Sequence, residues 1–156
     1  MKKVLLVIAL VLIIALPLSA ANYAKTNGLG VGVNLGFPFN GAAVKYGMDD
    51  FRAIGTLGWN FTNSSLDVEV GAQYDVYEFE IGELPFYVNA GVTANVGLFG
   101  AKDSFTLAVA VPVGLSYFFE EMPIEAFFKL APALLVVPGV DWGGINASIG
   151  GLWYLE

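Results

Sequence analysis

Phe105-Thr-Leu-Ala-Val-Ala-Val-Pro-Val-Gly-Leu-Ser-Tyr117 reads in period two. One face carries Phe105, Leu107, Val109, Val111, Val113, Leu115 and Tyr117; the other carries Thr106, Ala108, Ala110, Pro112, Gly114 and Ser116. Successive side chains of an extended chain point to opposite faces, so a strand separates bulk from small residues this way and a helix, repeating every 3.6 residues or so, does not.

The pattern recurs outward from this segment. Phe86 to Leu98 sets Phe86, Val88, Ala90, Val92, Ala94, Val96 and Leu98 against Tyr87, Asn89, Gly91, Thr93, Asn95 and Gly97. Leu66 to Val76 sets Leu66, Val68, Val70, Ala72, Tyr74 and Val76 against Asp67, Glu69, Gly71, Gln73 and Asp75. Ile145 to Leu155 opposes Ile145, Ala147, Ile149, Gly151, Trp153 and Leu155 to Asn146, Ser148, Gly150, Leu152 and Tyr154. Leu29–Leu35, Ala42–Tyr46, Phe51–Phe61 and Ile124–Leu134 follow the alternation less regularly. These eight strands are separated by hairpin-sized breaks such as Pro38–Asn40, Thr62–Ser64, Glu80–Glu83, Gly100–Asp103 and Pro138–Asp141, and the acidic residues Glu78, Glu80 and Glu83 are expected on a turn. Short connections predict antiparallel neighbours in an up-and-down meander.

The composition decides which face meets which medium. Hydrophobic residues make up 56% of the 156 residues and charged ones 13%, against about 25% charged in soluble domains. Beyond residue 20, no run approaches the roughly 18 apolar residues a spanning helix needs. The less apolar face is mostly Gly, Ala, Ser, Thr and Asn, which fit the cramped interior of a narrow barrel. The other face carries large aliphatics with almost no charge. The expected fold is therefore all-β: an eight-stranded antiparallel up-and-down transmembrane β-barrel over residues 29–156, its aliphatic face in lipid. Phe37, Phe39, Tyr46, Phe51, Trp59, Phe61, Phe86, Phe99, Phe105, Tyr117, Phe118, Trp142 and Trp153 fall toward strand ends, as interfacial girdles do.

Met1-Lys2-Lys3, the apolar run Val4–Leu16, Pro17 and the small residues Ser19-Ala20-Ala21 have the three-part form of a secretory signal peptide. Residues 1–21 are expected to be removed and 22–28 to form a short polar lead. The expected location is the outer membrane of the cell, with the turns at Pro38–Asn40, Thr62–Ser64, Gly100–Asp103 and Pro138–Asp141 facing outward.

Seven charges are expected inside: Lys45, Arg52, Asp67, Glu69, Asp75, Glu125 and Lys129. Charges in so narrow a space must pair, because a lone one is costly. Arg52 and Lys129 are expected to meet Glu69 and Glu125, which would occlude the interior. A narrow pore for ions or small solutes is the alternative. Cysteine and histidine are both absent, so no disulfide or thiolate is possible, and neither the commonest general base nor the commonest metal ligand exists. Ser116 and Ser148 have no base to activate them. No catalytic residue, metal or cofactor is expected, and the default role is structural, in envelope integrity. Binding of a host or envelope partner through the short outer turns is a third reading. A formal charge of -7 argues against nucleic acid as a partner, which needs a basic surface. The expected partner is outer-membrane lipid, around a monomer.

Gly28-Leu-Gly-Val-Gly with Leu35-Gly-Phe-Pro, Lys45-Tyr-Gly, Leu84-Pro-Phe-Tyr-Val-Asn-Ala-Gly, Val111-Pro-Val-Gly-Leu-Ser-Tyr-Phe-Phe and Pro123-Ile-Glu-Ala-Phe-Phe-Lys-Leu-Ala-Pro resemble a family of small outer-membrane β-barrels carried by spirochaetes and other two-membrane bacteria. The resemblance covers nearly the whole mature chain and implies fold and location, with no activity attached. Ser148, Gly150, Trp153 and Leu155 resemble the terminal signal read by the barrel assembly machinery, an expected partner during biogenesis. Family members usually end in an aromatic residue, where this chain has Trp153-Tyr154-Leu155-Glu156.

Overall fold

A computed structural model describes residues 27–48, 51–100, 105–119 and 121–155. The predicted signal peptide, lead residues 22–26, Asp49-Asp50, most of the Gly100–Asp103 turn, Glu120 and Glu156 lie outside the described residues. The strands are β1 (Gly28–Phe37), β2 (Phe39–Met48), β3 (Phe51–Asn60), β4 (Ser65–Ile81), β5 (Leu84–Leu98), β6 (Thr106–Ala110), β7 (Val113–Phe118), β8 (Ile124–Val137) and β9 (Asp141–Tyr154).

They form one antiparallel sheet in a ring. β1 pairs with β9 as well as β2, and β4 with β5 as well as β3, so every strand has neighbours on both sides. A ring removes the row of unpaired N–H and C=O groups that a sheet edge would present.

The structure corrects the predicted strand count from eight to nine. Phe105–Tyr117 is two strands, β6 and β7, which lie in series between β5 and β8. Proline chemistry accounts for the break. Pro112 lies opposite Gly91, whose N–H reaches the Pro112 carbonyl at 2.9 Å. Proline has no N–H to return that bond. On the other side, the Val111 N–H reaches the carbonyl of Pro132, on β8, at 3.0 Å, and Pro132 has none to return either. Two prolines side by side on neighbouring strands thus delete one ladder bond in each direction. Val111, predicted on the bulky outer face, is buried here, while Val113 is 48% exposed. β4 also runs on to Ile81, past a bulge between Asp75 and Tyr77. That puts Glu78 and Glu80 in a strand rather than in the turn the sequence suggested.

Elsewhere the predicted alternation sets the side chains in and out of the ring. Asn34, Lys45, Arg52, Glu69, Gln73, Asn89 and Glu125 are buried, while Val33, Val44, Leu57, Val70, Leu130 and Ile149 are exposed. The interior of this fold is polar and its outside is aliphatic, the reverse of a water-soluble sheet protein.

Closing so narrow a ring brings backbones together at inward-facing glycines. Gly41 of β2 faces Gly58 of β3. A methyl group on Gly58 would run into the Asn40 carbonyl oxygen, and one on Gly41 into that of Leu57. Backbone atoms cannot rotate aside as a side chain can. Gly58→Ala is therefore expected to destabilise the fold by about 1–3 kcal/mol, the range for overpacking. Gly139→Ala, which meets open space, should change stability by less than about 0.5 kcal/mol. Equilibrium urea unfolding of the two variants checks the contrast.

Candidate functional site

The interior is arranged in layers. The end that carries Pro38, the Phe61–Ser64 turn and the Pro138–Val140 connection is called the upper end here. The Gly82-Glu83 turn lies at the lower end, as do Asn27 and Leu155.

At the upper end a cup of about 420 Å³ opens between Pro38, Thr62, Thr106, Leu135 and Trp142, with Asp67, Asn95 and Asn146 among its lining residues. Asp67 accepts hydrogen bonds from Asn60 Nδ2 at 2.7 Å and from Ser65 Oγ at 2.5 Å. The Asn60 side-chain oxygen also takes the backbone N–H groups of Thr62 and Asn63 at 3.0 and 3.2 Å, which ties the upper turn to this layer.

One layer down, Lys129 Nζ of β8 crosses the interior to Glu69 Oε1 of β4 at 2.6 Å, and the Thr56 hydroxyl donates to the same oxygen at 3.3 Å. Next comes the most connected group. Glu125 is fully buried. Its Oε1 accepts from Lys45 Nζ at 2.6 Å and from Ser116 Oγ at 2.7 Å, and its Oε2 from the Tyr154 hydroxyl at 2.6 Å. Ser116 in turn accepts from Asn89 Nδ2 at 2.9 Å, and Asn89 Oδ1 accepts from Gln73 Nε2 at 3.3 Å. The donors of this chain all point toward the carboxylate. Such aligned bonds polarise one another in a low-dielectric interior.

Toward the lower end Arg52 grips Asp75 with both terminal nitrogens, at 3.1 and 2.6 Å. A bidentate guanidinium–carboxylate pair is strong and fixed in geometry. The ring of Phe118 lies 4.8 Å from the Arg52 guanidinium, and that of Phe127 lies 4.6 Å from Lys45 Nζ. These rings cover the buried cations with their electron-rich faces. Phe127 owes its place to Gly150, where a side chain would strike the ring. Ala43, Tyr87, Phe118, Phe127, Leu152 and Tyr154 form an apolar cluster that closes the lower end.

All seven sequence-predicted charges are thus buried inside the ring. Six gather in three ion pairs, Lys45–Glu125, Arg52–Asp75 and Lys129–Glu69. Lys129 reaches Glu69 as expected, but Arg52 pairs with Asp75 instead of Glu69 or Glu125, and Glu125 takes Lys45. Asp67 stands apart in the upper layer. Between the charged layers lies a cavity of about 20 Å³, lined by Asn34, Gln73, Glu69 and Lys129 among others. That volume holds about one water molecule.

Phe39 and Phe118, expected among the girdle aromatics, are buried inside instead, and Ile54 and Phe127 are interior residues that the sequence reading left without a face. Phase would have found three of them. Ile54 lies two residues from both Arg52 and Thr56, Phe118 two beyond Ser116, and Phe127 midway between Glu125 and Lys129. Of the terminal-signal residues, Ser148 is buried inside and Gly150 faces Phe127, while Trp153 and Leu155 are each 50% exposed. Comparisons of the chain with protein-family models, with curated proteins and with solved structures find no match.

Removing one member of a buried pair leaves its partner charged and unpaired, which costs about 3–5 kcal/mol. Lys129→Met is therefore expected to lower stability by about that much. Adding Glu69→Gln to it removes the orphaned charge and should recover most of the loss. Urea unfolding of the single and double variants measures both.

Proposed function

We propose that this chain is an integral outer-membrane β-barrel with a structural, non-enzymatic role in the cell envelope and an occluded interior. The observation that carries the reading is the inverted distribution of side chains: paired charges inside a closed sheet, bare aliphatics around it. A bilayer reverses the usual cost of exposing such a surface, and a closed ring leaves no strand edge unsatisfied in hydrocarbon.

The outside supports this in its vertical order. Phe37, Trp59, Phe61, Phe99, Phe105 and Trp142 are exposed toward the upper end. Tyr46, Tyr74, Tyr77, Phe119 and Trp153 are exposed toward the lower end. Val33, Val44, Val70, Leu130 and Ile149 lie between. Two aromatic bands around an aliphatic belt match the two interfaces of a membrane. A strand of 10 residues, the length of β1, β2 and β3, spans about 25 Å at about 3.3 Å per residue and a tilt near 40°, the height of an outer-membrane apolar belt. The signal peptide and the terminal motif, Ser148, Gly150, Trp153 and Leu155, fit delivery across the inner membrane and handover to the barrel assembly machinery. The resemblance to small barrels of spirochaetes and other two-membrane bacteria points the same way. A monomer surrounded by lipid is the simplest assembly.

Occlusion argues against the pore reading. The Lys129–Glu69 and Lys45–Glu125 bridges span the interior at successive levels, and the aromatic cluster closes the lower end. Any ion would have to displace a buried pair. Ser116 offers no reachable nucleophile for catalysis: it is wholly buried and donates a hydrogen bond to Glu125.

Two measurements test the proposal. Unboiled, detergent-extracted protein from the outer-membrane fraction should migrate differently from boiled protein, as a folded barrel does. Planar bilayers containing it should show no steady single-channel current. Recovery in the soluble fraction would overturn the membrane assignment, and a stable unitary conductance would overturn the occluded interior.

A further inference from the structure

The interior charges do not balance. Each buried cation has one carboxylate, and together they use Glu69, Asp75 and Glu125. The fourth interior carboxylate, Asp67, has no cationic partner among the described residues. It also lies where that matters, in the wall of the upper cup of about 420 Å³. That volume is within the roughly 300–1,000 Å³ of small-molecule sites.

We propose that this cup binds a small organic monocation, an amine carrying a flat apolar group, with its ammonium on Asp67. Asp67 is built to present charge. Asn60 and Ser65 each donate one hydrogen bond to it, which fixes the carboxylate and uses about half of its roughly four acceptor sites. The remainder can take an ammonium. Asn95 and Asn146 add side-chain amides to the lining of the cup. Gly97 lets Thr106 Oγ1 and Asp67 Oδ1 close over the strand, since a side chain there would meet both. Phe39, buried inside the ring, and Leu135 supply apolar surface to the wall, which suits a flat apolar group. A bare metal ion fits less well: no three or more Asp, Glu, His or Cys side chains among the described residues are grouped to hold one.

The test uses the full mature chain folded in lipid nanodiscs, with tyramine as the probe and tyrosol, its neutral hydroxyl counterpart, as the control. The readout is the 15N-detected side-chain amide signals of Asn95 and Asn146, which report on the cup and not on ligand dissolved in lipid. Tyramine is expected to shift both signals in a saturable way. Tyrosol is expected to bind at least tenfold more weakly, and Asp67→Asn to weaken tyramine at least tenfold. The tyrosol comparison needs no variant, so a folding defect in Asp67→Asn leaves the test intact. Equal binding of tyramine and tyrosol would overturn the proposal, as would no saturable shift with tyramine. Displacement of tyramine by equimolar calcium chloride would overturn it in favour of an inorganic cation site.

Discussion

Closure of the sheet is the constraint from which the other features follow. Once β1 meets β9 and β4 meets β5, every strand has two partners, and the alternation of side chains becomes a choice between a narrow inside and a wide outside. The inside is too small for a second layer of structure, so the side chains themselves must fill it. Glycines such as Gly58 and Gly150 are used where the backbone or a neighbouring ring already occupies the space. Longer polar side chains reach across. Lys45 and Lys129 lie on β2 and β8, and their carboxylate partners on β8 and β4, so these two ion pairs bridge strands that are not neighbours in the sheet.

A buried ion pair is not in itself a source of stability. Taking two charges out of water costs several kcal/mol each, on the order of what their attraction returns. Three such pairs, joined to Ser116, Tyr154, Asn89 and Gln73 by further hydrogen bonds, bear on strand register more than on depth of the energy well. Each pairing fixes the height of one strand against another, because a shift of one residue would turn the charge outward. In a fold whose outer face is nearly uniform in aliphatic bulk, that internal pattern distinguishes the correct register from its neighbours.

Much of this architecture was legible in the chain. Period-two alternation over Phe86–Leu98 and Leu66–Val76 gives strands and the correct inward residues, Asn89, Glu69 and Asp75 among them. The break at Val111-Pro112 went unread, although a proline in mid-strand, whose missing N–H interrupts the ladder, marks it. Its partner Pro132 becomes meaningful only when the register sets the two prolines on adjacent strands. Ion-pair identities were less accessible. Arg52 pairs with Asp75 on the adjacent β4, one step diagonal from Gln73, its direct register partner. The other two bridges depend on which strands face each other across the ring, which local sequence does not encode. The cup was likewise out of reach, since residues from eight separate strands converge on it.

The central claim is that the aliphatic outer belt contacts hydrocarbon. Because the chain has no cysteine, single cysteines at Val44, Val70 and Leu130 can each carry one nitroxide label without interference. Paramagnetic relaxation in lipid vesicles then compares molecular oxygen, which concentrates in hydrocarbon, with a water-soluble nickel chelate. The account predicts that oxygen relaxes all three labels strongly and the nickel chelate hardly at all. Strong relaxation by the nickel chelate at all three sites would place this belt in water and contradict it.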